Sequence, residues 1–258
     1  MSTLLMAAAA ATLVFCAPGY PGGAGDAQPF IDQFAKAAVT AASWPQGSLA
    51  AIYDPSEQSG LAKLGAADAV LAFVPYAFFV QHAAELHLTP LAQADVEGVG
   101  TQERWSLVAK TGAVNGPPLM ADYTILSVAG YAPEFIRHSA LPTWSLPPNI
   151  RIESTGQVLS ALRRVAAGEH VVALLDQTQS AALPTLPFAA GLMVVGQSPP
   201  LPVAVIAIVD SRVPAARAKS LQAALLKMGH AAAGAEVLSQ LRLQGFIMPQ
   251  FPRTAPAP

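Results

Sequence analysis

Charge is what this 258-residue chain has least of: Asp, Glu, Lys and Arg make up 12% of it, about half the usual quarter. Its 14 basic and 16 acidic residues leave a net charge of -2. No cluster of Lys and Arg forms the basic stripe that a nucleic-acid partner requires. A single cysteine, Cys16, excludes an internal disulfide and any Cys-based zinc site. In an apolar strand it reads as a small buried thiol, and Phe15 before it is too large for a lipid-attachment signal. Long hydrophobic runs are missing as well. Mean hydropathy is +0.42, yet 23 prolines and 19 glycines break every apolar run before the roughly 20 residues that a spanning helix needs. No Gly-x-Ser-x-Gly elbow is present, so a hydrolase of that type has no nucleophile site. The five histidines, His82, His87, His138, His170 and His230, show no metal-ligand spacing. The composition therefore calls for no catalytic residue, no metal and no cofactor.

Lys and Arg are also absent before Lys36. Leu4 to Ala17 is apolar enough for the core of an export signal but lacks the charged segment that usually precedes one. We read residues 1–11 as an atypical signal segment, with an Ala-x-Ala cut near Ala11, and expect an exported protein.

What is present is an alternation of strands and helices. Thr12–Ala17 is an apolar strand, followed by a Gly-rich turn and a helix from Gln28 to Ala42, with Asp26 as its N-cap. Leu49–Tyr53 is a strand, Ser56–Leu64 a helix ended by Gly65, and Ala69–Val74 a strand buried on both faces. A helix runs from Pro75–Tyr76 to about His87. This is the grammar of a doubly wound parallel sheet. After strand Trp105–Lys110 and the Gly/Pro-rich break Gly112–Pro118 it restarts. Strand Tyr123–Ser127, helix Pro133–Ser139, helix Thr155–Ala167 ended by Gly168, and strand His170–Leu175 capped by Asp176 follow in order. Leu192–Val195, the break Ser198–Pro202 and strand Val203–Val209 return the chain to the first sheet. Helices Ala215–Gly229 and Ala235–Leu243 close it. The expected lobes are residues 12–106 with 200–248, and an inserted 107–199, with a Pro-rich tail at 249–258. Two crossings between lobes give hinge closure over a cleft.

Several motifs lie where open α/β sheets bind ligands, at the C-terminal strand ends. Gly19–Gly25 opens a helix, so the amides of Gly22 and Gly23 face an anion there, or else the segment is a plain tight turn. Tyr20 supplies an aromatic wall or a hydroxyl. Tyr53-Asp-Pro-Ser-Glu57 and Pro75-Tyr76 follow strand ends and put two tyrosines at the same edge, with Glu57 beside them, or else each is a plain capping loop. In the second lobe Ser127, Gly130 and Tyr131 form a small-residue turn before a helix, suited to a carboxylate, sulfonate or phosphonyl group, or serving only as a cap. Asp176 either accepts from a ligand amine or hydroxyl or caps the next turn.

The order of elements resembles that of the phosphate, phosphite and phosphonate periplasmic binding proteins, the family that also includes sulfonate- and transferrin-like receptors. The resemblance rests on Leu64-Gly65-Ala-Ala-Asp68 before an apolar strand and Pro75-Tyr76, and on Ser127-x-x-Gly130-Tyr131-x-Pro133. It rests further on Ala167-Gly168 before a strand ending in Asp176, on Gln197-Ser-Pro-Pro-Leu-Pro202, and on Leu241-x-x-x-Gly245-Phe246. It implies an α/β, type II periplasmic-binding-protein-like fold, two doubly wound lobes joined by two crossover strands. It also implies a monomeric, periplasmic solute-binding protein of an ABC importer that performs no chemistry. Its partners are then a small-molecule ligand and an ABC permease or membrane sensor. Tyr53, Tyr76 and Ser127 match the family's oxyanion-holding positions. The departures are Val128 and Ala129, where the family carries hydroxyls, and Val171, where it carries an acid. Two alternatives stand beside this reading: a degenerate receptor domain used as an interaction module, and an enzyme on the same fold using Cys16, Glu57 or Asp176.

Overall fold

The computed structural model describes residues 11–251 except 21, 115, 117–119 and 121. The expected signal segment lies outside them but for Ala11, as do part of the Gly112–Pro118 break and most of the Pro-rich tail.

Three apolar strands, β1 (Ala11–Cys16), β2 (Leu49–Asp54) and β3 (Ala69–Pro75), run parallel with β1 in the middle. Beyond β3 the first sheet turns antiparallel. It adds in spatial order β12 (Ala204–Ile208), β4 (Thr89–Val96) and β13 (Leu243–Ile247). The sheet is therefore mixed rather than purely parallel. Strands β4 and β13 are additions to the sequence reading, which ran a helix to Leu243. In the second sheet β7 (Thr124–Ser127) lies parallel between β8 (Arg151–Ser154) and β9 (Val171–Leu175). Antiparallel β6 (Ser106–Lys110) and β10 (Leu192–Gln197) complete it. Between the sheets the chain crosses twice, and the two crossings pair as β5 (Gln102–Glu103) with β11 (Leu201–Pro202).

Side chains alternate between the faces of a strand. Leu13 and Phe15 of β1 therefore meet Ile31 and Phe34 of α1 (Ala24–Ala41), with Leu221 and Leu225 of α7 (Ala215–Met228) beside them. Val14 and Cys16 point the other way, toward Leu64 of α2 (Glu57–Gly65) and Phe78 of α3 (Tyr76–His82). That second cluster continues without a break into the second sheet through Trp105, Leu107, Ile125 and Val172. A third cluster holds α5 (Val158–Ala167) on the far face of that sheet. Gly168 closes α5 at φ +87°, the left-handed conformation that favours glycine.

Helix α1 begins four residues earlier than its periodicity suggests. Gly23 is its N-cap and Asp26 lies in its first turn, where a carboxylate faces the positive helix end. Pro29 lies inside the helix. Helix α3 stops at His82, and α4 (Pro133–Phe135) passes into a π-turn over Ile136–Ala140. Helix α6 (Gln177–Ala182) starts directly after Asp176, and α8 (Ala232–Gln240) precedes β13.

Candidate functional site

The two strand-end turns, residues 17–20 after β1 and 128–131 after β7, meet face to face. Gly19 has φ +83°, and a Cβ there would lie 2.5 Å from the Val128 carbonyl oxygen. The backbones of the two sheets thus touch at a position that admits only glycine.

Tyr20 is half-buried, and its phenol is held well above its ordinary pKa, first by burial and then by the neighbouring Glu103, Asp176 and Tyr131. Tyr131 reaches from the second sheet toward the first, where its ring centroid lies 6.4 Å from that of Phe78. Its pKa is raised by burial first, then by Cys16 and Glu57. Tyr53 is half-buried on β2, and a Cβ on Gly22 (φ +140°) would stand 3.6 Å from its hydroxyl. Burial raises its pKa. Tyr76, 2% exposed, is enclosed by rings: Phe79 and Phe251 stack at 6.2 and 5.6 Å, and Phe135 of α4 meets it edge-on at 6.2 Å. Burial pushes its pKa up to about 12.

The remaining sequence-predicted residues have protein partners. Ser127 donates to the Leu174 carbonyl at 2.8 Å and accepts from the Ala129 amide at 3.2 Å. Its hydroxyl thereby ties the ends of β7 and β9 together. Gly130 packs on the backbone of Glu153, where a Cβ has no room. Glu57 pairs with Nε2 of buried His82 at 2.9 Å, and Glu85 stands 3.3 Å from Nδ1. Gly23 caps α1 through its backbone. Asp176 accepts from the Gln179 amide at 2.8 Å, while its own amide donates to the Gln179 side chain at 3.2 Å, a capping box. Burial raises the Asp176 pKa, and the Gln179 and Thr178 amides pull it partly back.

Glu103 was not singled out by sequence reasoning. It lies in the crossing strand β5, is 6% exposed, and has no periodic or motif signal. Its carboxylate accepts from the Trp105 indole at 3.2 Å and from the Gln177 amide at 3.4 Å, fastening the crossing to the start of α6. Burial, with the Asp176 charge second, pushes its pKa to about 8. Glu103, Asp176 and Tyr131 are thus charge neighbours of the Tyr20 phenol. Neighbouring cations in the sequence are engaged elsewhere: Arg104, next to Glu103, binds the Ser198 carbonyl at 2.8 Å, and Arg137, six residues after Tyr131, binds the Pro147 carbonyl at 2.9 Å.

Several cavities among the described residues are each lined from one sheet or from the helices packed on it. One of them, about 200 Å³, opens at the C-terminal edge of β1, β2 and β3 and has Tyr53 in its wall.

Residues 71–250 match the family described as ABC transporter, phosphonate, periplasmic substrate-binding protein. No curated protein matches the sequence. Among solved structures, the chain is similar to a Xanthomonas citri protein bound to ATP (TM-score 0.66, 13% identity, covering 95% of this chain and 93% of that one). It is similar also to a binding-protein component of an ABC phosphonate transporter from Pseudomonas aeruginosa (0.55, 16%, 92% and 81%). A Prochlorococcus marinus protein in complex with methylphosphonate gives 0.57, 12% identity, and 93% coverage of both chains. At these identities the likeness speaks for the fold alone.

Proposed function

Because the chain belongs to the periplasmic substrate-binding protein family of ABC phosphonate transporters, we propose that it works outside the cytoplasm as a receptor. In this reading two lobes shut on a small organic ligand, which passes to an ABC permease without chemical change. The lobes are residues 12–106 with 200–248, and 107–199. The observation that carries the reading is the apposition of the turns after β1 and β7 at Gly19 and Val128. Equivalent strand ends of the two sheets face each other beside the paired crossings β5 and β11, an arrangement that supports a reading of hinge closure.

The groups around the second-sheet turn narrow the ligand. Ser127 has one proton and gives it to Leu174, and the buried carboxyl of Asp176, bonded to the amides at the start of its own helix, is unfavourable to a second negative charge nearby. A neutral or singly charged molecule suits these surroundings better than a dianion. The test is a thermal-shift and small-angle scattering screen against phosphonates, sulfonates, carboxylates and amines. A receptor gains several degrees of melting temperature with one class and contracts on binding it. No shift with any class overturns the proposal.

A second reading, an interaction module that docks on a membrane sensor, is favoured by one observation. Tyr76 and Phe135 pack edge-on from the two sheets, and Trp105 meets Phe135 at 5.3 Å, so ring contacts of their own hold the sheets together. Scattering of the protein alone that fits the closed form, unchanged by every ligand, supports this second reading.

A further inference from the structure

From the aromatic cavity at the edge of the first sheet we infer that the protein binds a flat, apolar ring there, either a free aromatic molecule or the aromatic end of a longer one. The inference rests on the proposed receptor reading only for the location of the site, beside Tyr53 and Gly22.

The cavity measures about 200 Å³, and an apolar cavity of about 150 Å³ holds benzene. Among the described residues its walls are the rings of Phe15, Tyr53 and Phe73 together with Ala204, Leu241 and Leu243, and no charged side chain is among them. The ring floor is rigid. Phe15 and Phe73 lie 4.9 Å apart at 55°, backed by Phe34 at 5.6 and 6.2 Å, and Phe246 supports Phe73 at 5.9 Å. Tilted and edge-on pairs of this kind fix the ring planes, so the floor is formed before anything binds. Phe73, Tyr53, Ala204 and Leu241 remain half-buried, leaving apolar surface in water at the strand ends where α/β folds take ligands. Small side chains make the space: Ala17 and Ala204 stand where a leucine would fill it. Tyr53 brings a hydroxyl to the wall, giving a ring with a polar substituent one hydrogen-bonding partner.

The test uses phenol, methylphosphonate and phenylphosphonate with the full chain and with Ala204→Leu and Ala17→Leu. Binding is followed by titration calorimetry and by the methyl resonances of Leu241 and Leu243, and folding of each variant by circular dichroism. Expected are shifts of both leucines with phenol, binding of phenylphosphonate about tenfold tighter than of methylphosphonate, and loss of that difference in whichever variant folds. Equal affinity for the two phosphonates, absence of phenol binding, or phenol binding that survives both substitutions overturns the inference. The two readings fail separately. Methylphosphonate that contracts the protein while phenol does not bind leaves the receptor standing without the ring site. Phenol that binds while no ligand changes the scattering leaves the ring site standing without lobe closure.

Discussion

Gly19 and Val128 lie in turns that follow strands of different sheets, and a methyl group on Gly19 would lie 2.5 Å from the Val128 carbonyl oxygen. Gly19 also holds φ +83°, where an L-residue is strained. Gly19→Ala must therefore either push the two turns apart or strain both. The expected loss of stability is about 1–3 kcal/mol, with an increase in radius of gyration by small-angle scattering. Gly25→Ala is the control: it lies in the first turn of α1 with nothing within 4 Å of the added carbon. It should be neutral or stabilise by up to about 1 kcal/mol. Equal stabilities for the two variants would mean that the turns do not touch in solution.

Glu103 gives the protein a pH dependence with a definite sign. Burial raises its pKa from 4.5 to about 8, so the folded state holds a proton that the unfolded chain releases. That contribution is complete below the unfolded value, and it is lost as pH rises from about 5 through 8. Asp176, also raised by burial, acts in the same direction. Chemical denaturation between pH 5 and 9 should show stability falling as pH rises, and Glu103→Gln should flatten the fall. A profile that rises over this range, or one unchanged in the variant, would show that the Glu103 carboxyl is not held in the dry crossing.

Ser127→Ala tests whether the second-sheet turn is built on its hydroxyl. The substitution leaves the Leu174 carbonyl and the Ala129 amide without their partner in a buried place. About 1–3 kcal/mol of stability should be lost, read from equilibrium unfolding. Ser127→Thr keeps the hydroxyl and should recover part of the loss. An alanine variant as stable as the parent would return Ser127 to the role of a free ligand donor.

The turns, strands β1, β3, β7 and β9, and the Asp176 cap could be read from the chain because local chemistry sets them. Continuous apolar runs mark buried strands, and glycine and aspartate mark their ends. Strand β4 could not. Pro90, Gln93 and Asp95 interrupt its run, and Gln93 is fully buried only because its amide donates to the Thr101 carbonyl at 2.6 Å and accepts from the Gln250 amide at 2.9 Å. Those partners are tertiary and leave no local signature. Strand β8 fails for the opposite reason: Arg151, Glu153 and Ser154 are exposed at a sheet edge, so no alternation appears. At the candidate site the residue types at strand ends were legible, whereas their partners were not. That Glu57 is taken by His82, and Ser127 by Leu174, depends on helices and strands brought together from distant parts of the chain.

Phe135 joins the two sheets through rings. It meets Tyr76 of α3 edge-on at 6.2 Å and Trp105, just before β6, at 5.3 Å, and it is fully buried. Phe135→Ala should cost about 3–5 kcal/mol, part of it from the ring pairs themselves. A double-mutant cycle with Tyr76→Leu isolates the part that crosses between sheets, with an expected coupling of about 0.5–1.5 kcal/mol. If ligand opens or shuts the molecule about its crossings, the coupling measured in the presence of a saturating ligand should differ from that in its absence. The ring pair forms only where α3 and α4 are in contact. Zero coupling in both conditions would show that the two sheets stand apart in solution.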